Sequence, residues 1–249
     1  MGKKSERREA AMAMRKHQEA EARRKKILFG GAIGAAVLLI GGLIVAGIWM
    51  NTEDERDVVQ PAASHSDDGG LVLGNGETEL TVYLDFSCPG CQYFELTYGE
   101  QIKEWVNNDQ ITLNYHPVNF LTRVGDQFSL RAGAASVCAA DEGEQEYLDF
   151  TLAMFQNQPE SASQNVTDSE IITIGEGVGL GQSFADCVND GRYLGWISEG
   201  SQEARDAGIE GTPSVIVNGN TIGNDDVVAE VEAAIAEAGG EEPTDGEDT

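Results

Sequence analysis

Cys88 and Cys91 stand two residues apart in "DFSCPGCQYFE", residues 85–95, between an alternating apolar run and an amphipathic one. Three chemistries use such a pair: a metal clip, a structural staple and a redox centre. A structural zinc site takes four N or S ligands, commonly as two close pairs. The remaining cysteines, Cys138 and Cys187, lie far apart in sequence, and no histidine completes a pair. A disulfide closing so short a loop constrains little chain entropy, which weakens the staple reading. Redox exchange accounts for the placement. Cys88 falls where a strand ends and a helix begins, and Pro89 suits the first helical turn, where its missing N–H is not needed. The Cys88 sulfur then faces unpaired N–H groups at the positive end of the helix, which lower its pKa. Cys91, one turn deeper, is placed to resolve a mixed disulfide.

The elements that hold this pair are legible on either side. Leu80, Val82 and Leu84 alternate with polar or amphipathic neighbours, as do Ile111, Leu113 and Tyr115, so each run predicts a strand with one buried face. Between them a helix carries Cys91, Phe94, Leu96, Ile102 and Trp105. Strand, helix and strand in such close succession predict a parallel pair with a right-handed crossover. Much later, "PSVIVNGNTIG" supplies a strand over 214–217, an Asn218-Gly219 hairpin turn and a return strand. A last helix over 226–238, with Val227, Val228, Val231 and Ile235, covers the sheet. The stretch 122–205 reads as mainly helical.

Charge and hydropathy organise the rest of the chain. Residues 1–26 hold ten Lys or Arg against four Glu, although the whole chain of 249 residues carries a formal charge of −27. Beyond residue 26 the only lysine is Lys103, which excludes a clustered basic surface for nucleic acid. Residues 27–50, "ILFGGAIGAAVLLIGGLIVAGIWM", are uncharged and long enough to cross a hydrocarbon core of about 30 Å. They read as an uncleaved signal anchor. The basic flank predicts a single-pass cell-membrane protein with residues 1–26 in the cytoplasm and everything after residue 50 outside. Residues 51–70 are polar and acidic and predict a flexible linker in which His65 is a solvated residue. The folded domain is expected over 71–238, with the helical insertion at about 122–205 and an acidic, disordered tail at 239–249.

"FSCPGCQYF" at 86–94 and "GTPSVIVNG" at 211–219, separated by a helical insertion, resemble the DsbA-like branch of thioredoxin-fold thiol–disulfide oxidoreductases. The resemblance spans roughly residues 75–238. It implies an α/β thioredoxin fold with an inserted helical domain, here preceded by one transmembrane helix. It implies a cis bond before Pro213, packed against the active-site pair, with Thr212 presenting backbone groups to a substrate peptide. It also implies a structural disulfide between Cys138 and Cys187, worth about 4 kcal/mol for a loop of roughly 50 residues by the chain-entropy argument. The function it implies is disulfide transfer to reduced or unfolded secreted polypeptides, with reoxidation by a quinone-linked membrane partner and no cofactor or metal. A reductase or isomerase of the same fold, or a peptide-binding chaperone without redox turnover, are the alternatives.

The chain departs from strongly oxidising relatives at Gly90 and Thr212, where histidine and valine are frequent, so the direction of electron flow stays open. Val82 stands where many thioredoxin-fold enzymes carry a buried acid. Asp85, three residues before Cys88, is placed either to accept a proton or to hold the turn. His116, after the second strand, reads as a turn histidine near the active face.

Overall fold

The computed structural model describes residues 58–122, 127–159, 166–223 and 226–239. The predicted cytoplasmic segment 1–26, the anchor 27–50 and nearly all of the tail lie outside the described residues, among which no helix is long and apolar enough to cross a membrane. Five strands, β1 (Leu71–Leu73), β2 (Thr78–Leu84), β3 (Ile111–Pro117), β4 (Ser214–Val217) and β5 (Asn220–Ile222), form one sheet in the order β1-β3-β2-β4-β5. β2 lies at its centre because all but one of its residues are buried, so both of its edges can be paired without exposing apolar side chains. It runs parallel to β3, with Val82 opposite Tyr115, and antiparallel to β4, with Val82 opposite Val215. Asn218 and Gly219 both take positive φ, 46° and 79°, as a two-residue turn between β4 and β5 requires.

Seven helices follow in chain order among the described residues: α1 (Pro89–Asn107), α2 (Phe128–Ala140), α3 (Glu144–Gln156), α4 (Asp168–Gly177), α5 (Gln182–Asn189), α6 (Leu194–Asp206) and α7 (Val227–Ala238). α1 is the crossover between β2 and β3, and α7 packs on β2 and β4 through Val227 and Val231. Helices α2 to α6 form an insertion between β3 and β4, giving the thioredoxin-like α/β fold with a helical insertion that the motifs imply. The insertion is built around α2, where every residue except Arg131 is buried. Its run of Ala, Gly and Ser allows neighbours to approach from several sides; a methyl group on Gly133 would already lie 3.3 Å from Ile197. α4 starts on a capping box in which Thr167 and Glu170 satisfy each other's backbone N–H groups.

Two features depart from the sequence reading. Residues 61–70, expected within the flexible linker, are docked on the body. The Asp141 carboxylate accepts from the Ala62 and Ala63 N–H groups at 2.8 and 3.1 Å, and His65 makes a β-bridge to Leu71. Gly69 takes φ +82° and passes so close to Gly200 that a side chain on Gly69 would lie 2.7 Å from its Cα. Nearly all of these contacts are made by backbone, so a polar composition hides them. The second departure is His116, which is a buried member of β3 rather than a turn residue. Its ring stacks on Tyr83 with centroids 4.2 Å apart, and burial pushes its pKa down to about 4.

Candidate active site

The register of β4 on β2 brings the two signature motifs together. Ser214 is opposite Tyr83, so the residues before Ser214 run back alongside those that follow Leu84. Thr212 thereby reaches Cys88, and the Thr212–Pro213 bond is cis. Cys88 is the N-cap of α1, with extended backbone (φ −85°, ψ 119°), and Pro89 opens the helix. Cys88 and Cys91 are free thiols, with Cys88 8% exposed and Cys91 fully enclosed. Gly90 lets Pro213 close on the pair: a Cβ there would stand 3.1 Å from the proline Cδ and 3.6 Å from the Cys88 sulfur.

The two thiols are electrostatically opposite. Cys88 is held down to about 5, chiefly because the Cys91 thiol donates to its sulfur. Burial works against this, while the Thr212 side chain and the N–H groups of Cys91 and Gly90 reinforce it. The helix N-terminus expected from sequence therefore contributes, but the neighbouring thiol leads. Cys91 is pushed far up by burial and by its role as donor to Cys88. Its sulfur also accepts the Asp85 N–H at 3.4 Å. The arrangement supplies one accessible thiolate and one protonated thiol behind it, which is what nucleophilic exchange followed by resolution needs.

Asp85 is fully buried, and both carboxylate oxygens are occupied. One accepts from the Ser87 N–H at 2.8 Å and the Ser129 hydroxyl at 2.6 Å, the other from the Leu121 N–H at 2.8 Å. Burial raises its pKa against those three donors. Of the two roles open to Asp85, this geometry fits the turn-holding one, joining the redox turn to the β3–α2 loop and to α2. Cys138 and Cys187 form a disulfide that ties α2 to α5. Among the described residues no group of three or more His, Cys, Asp or Glu is arranged to hold a metal ion.

Several residues at the site carry no sequence motif. Glu95 follows Cys91 by four positions and hence lies on the same helix face. It is 3% exposed, takes a hydrogen bond from the Tyr115 hydroxyl, and is pushed up to about 7 by burial. The chain thus buries an acid on α1 while carrying none at Val82, a placement that the spacing of residues 91 and 95 could have signalled. Gln92 and Gln158 bridge α1 and the end of α3, with no sequence signal to find them.

A sequence profile of the family described as Thioredoxin matches residues 66–237. The chain belongs to the thioredoxin family. It is similar to the serine/threonine-protein kinase PknE of Mycobacterium tuberculosis, 30% identical over 158 residues, which cover 59% of this chain and 28% of the kinase. The chain thus matches under a third of that relative's length. It is 23% identical over 201 residues to the probable disulfide bond formation protein D of Bacillus cereus, covering 79% of this chain and 89% of the relative. Among solved structures, reduced DsbA from Mycobacterium tuberculosis superposes with a TM-score of 0.58 at 25% identity, over 72% of this chain and 92% of that one. The thioredoxin-like fold and its likeness to DsbA-type proteins thus agree with what residues 86–94 and 211–219 imply.

Proposed function

We propose that this chain is a membrane-anchored thiol–disulfide oxidoreductase that donates the Cys88–Cys91 disulfide to cysteine pairs of exported polypeptides. The observation that carries this reading is the inequality of the two thiols, with Cys88 near 5 and Cys91 far above its ordinary value. A substrate thiolate attacks the Cys88 sulfur, the S–S bond to Cys91 breaks, and Cys91 leaves with the electron pair and takes up a proton. The second substrate thiolate then attacks the substrate sulfur of the mixed disulfide and expels Cys88 as thiolate. The substrate dithiol loses two electrons, and the Cys88/Cys91 pair gains them.

A stabilised Cys88 thiolate lowers the energy of the reduced state and so makes the disulfide oxidising, which favours donation over a reductase or isomerase role. Exposed Tyr93 and Leu96, three apart on α1, offer apolar contact to a polypeptide beside the redox turn. The apolar run 27–50 and its basic flank support an external location, and reoxidation then falls to a quinone-linked membrane partner that removes two electrons, with the one proton held by Cys91 released. The reaction is tested by mixing oxidised protein with a reduced dithiol peptide. The peptide should lose two thiols for each Cys88/Cys91 pair reduced, and a reduction potential measured against glutathione should fall on the oxidising side of the glutathione couple. A potential well below that couple would reverse the direction, and peptide binding without thiol loss, unaffected by Cys88→Ser, would favour the chaperone reading. Location is tested in intact cells, where a bulky impermeant thiol reagent should label reduced Cys88; labelling only after lysis would place the domain inside.

A further inference from the structure

The end of α3 grips the redox turn through two glutamines that run in opposite directions. The Gln158 Nε2 donates to the carbonyl oxygens of Phe86 and Cys88 at 2.8 and 3.0 Å, so both amide hydrogens are used on the turn that carries the reactive sulfur. The Gln92 Nε2 donates the other way, from α1 to the Phe155 carbonyl at 2.9 Å. Phe86 and Phe155 stack between them with centroids 4.9 Å apart. The Cys88 carbonyl also accepts the Gln92 backbone N–H at 3.1 Å, the first bond of α1. Gln158 thus holds a peptide group whose orientation sets where the first turn of the helix points.

We infer that Gln158 is a positioning residue for the redox centre, through which the helical insertion sets the acidity of Cys88. The inference rests on the redox reading given above. The physical route is short. The Gly90 and Cys91 N–H groups support the thiolate only while the first turn of α1 presents them to the Cys88 sulfur. The carbonyls of Phe86 and Cys88 carry the opposite dipole and are drawn toward the insertion by the Gln158 amide. Without that amide, those carbonyls lose the two bonds that Gln158 donates to them, and the turn can rotate them toward the sulfur, where they oppose ionisation. Gln92 serves as the internal comparison, because its side chain grips the insertion without touching a carbonyl of the turn.

The test compares wild type, Gln158→Met and Gln92→Met by the pH dependence of Cys88 alkylation with iodoacetamide, with the folded state of each checked by circular dichroism and melting temperature. Methionine keeps the length and removes the donor. Gln158→Met should raise the alkylation midpoint by about one pH unit, which is a tenfold loss of thiolate well below the midpoint, whereas Gln92→Met should lower the melting temperature and leave the midpoint in place. Should Gln158→Met fail to fold, Gln158→Asn, which keeps the amide but falls one methylene short, carries the same expectation. A folded Gln158 variant with the wild-type midpoint, or an equal shift in Gln92→Met, would overturn the inference. A wild-type midpoint at the ordinary thiol value would instead count against the redox reading itself.

Discussion

The Cys88 sulfur lies 3.2 Å from the carbonyl oxygen of Thr212, a residue 124 positions away in the chain. A carbonyl only accepts, so this bond exists only while Cys88 carries its proton. Once Cys88 is a thiolate or joins a disulfide, the oxygen loses its donor and is open to an N–H group of an incoming peptide.

The unequal thiols predict unequal mutants. With a disulfide-bearing substrate, the Cys88 thiolate of Cys91→Ser attacks the substrate S–S bond and expels one substrate sulfur as thiolate. With no thiol behind Cys88 to release it, the mixed disulfide should accumulate, whereas Cys88→Ser should accumulate little. Non-reducing electrophoresis of each reduced variant after exposure to an unfolded protein that carries disulfides reads the difference. Equal trapping by both variants would mean that Cys91, despite its burial, attacks substrate as well.

Cys88 can ionise only in the reduced protein, and its folded pKa near 5 lies below the unfolded value of about 8.5. The unfolded chain binds the extra proton between these values, so stability of the reduced form rises with pH across the window. The thiolate contribution is complete above about pH 8.5 and lost below about pH 5. The melting temperature of the reduced form minus that of the oxidised form should therefore grow from pH 4.5 to pH 8.5. A difference that stays constant over that range would contradict the lowered pKa.

Glu95 has the opposite sign. Burial raises its pKa to about 7 from an unfolded value near 4.5, so the native state holds the proton longer and stability falls as pH rises through that window. The loss amounts to roughly 3 kcal/mol at pH 8. Glu95→Gln keeps a carbonyl oxygen for the Tyr115 hydroxyl and removes the titration. Urea unfolding should show the variant more stable than wild type at pH 8 and little changed at pH 4.5.

The disulfide between α2 and α5 closes a loop with a sequence separation of 49. Replacing both partners, Cys138→Ala with Cys187→Ala, should cost up to about 4 kcal/mol of stability by the chain-entropy argument. Thiol exchange at Cys88 should survive, since neither sulfur lies at the redox turn. Denaturant titration and peptide oxidation on the same sample separate the two effects.

What could be read from the sequence follows the range of each signal. Cys88, Pro89 and Cys91 act within one helical turn, so their spacing alone carries the chemistry. The strands at 78–84 and 111–117 announce themselves by alternation, and Asn218-Gly219 by turn chemistry. β1 is only three residues long, too short for a period to show. Leu96 belongs to the predicted helix but is 52% exposed, because α1 is covered on one side only and an apolar residue does not by itself identify that side. Glu95 and Gln158 look like ordinary surface residues, and their roles arise from tertiary neighbours, Tyr115 for one and the carbonyls of Phe86 and Cys88 for the other. The docking of residues 61–70 escapes for a related reason: it depends on backbone groups, which every sequence has.

Because β2 pairs with β4, the order of synthesis bears on how this protein is made. Cys88, Cys91 and Cys138 all leave the ribosome before Cys187, and Thr212 and Pro213 follow later still. For that interval the two redox sulfurs have neither the strand that completes their side of the sheet nor the proline that covers them, while Cys138 waits for its own partner. The nascent chain thus passes through a stage with three unpaired thiols and an odd count. Cys138 can reach its native partner only once residue 187 has emerged.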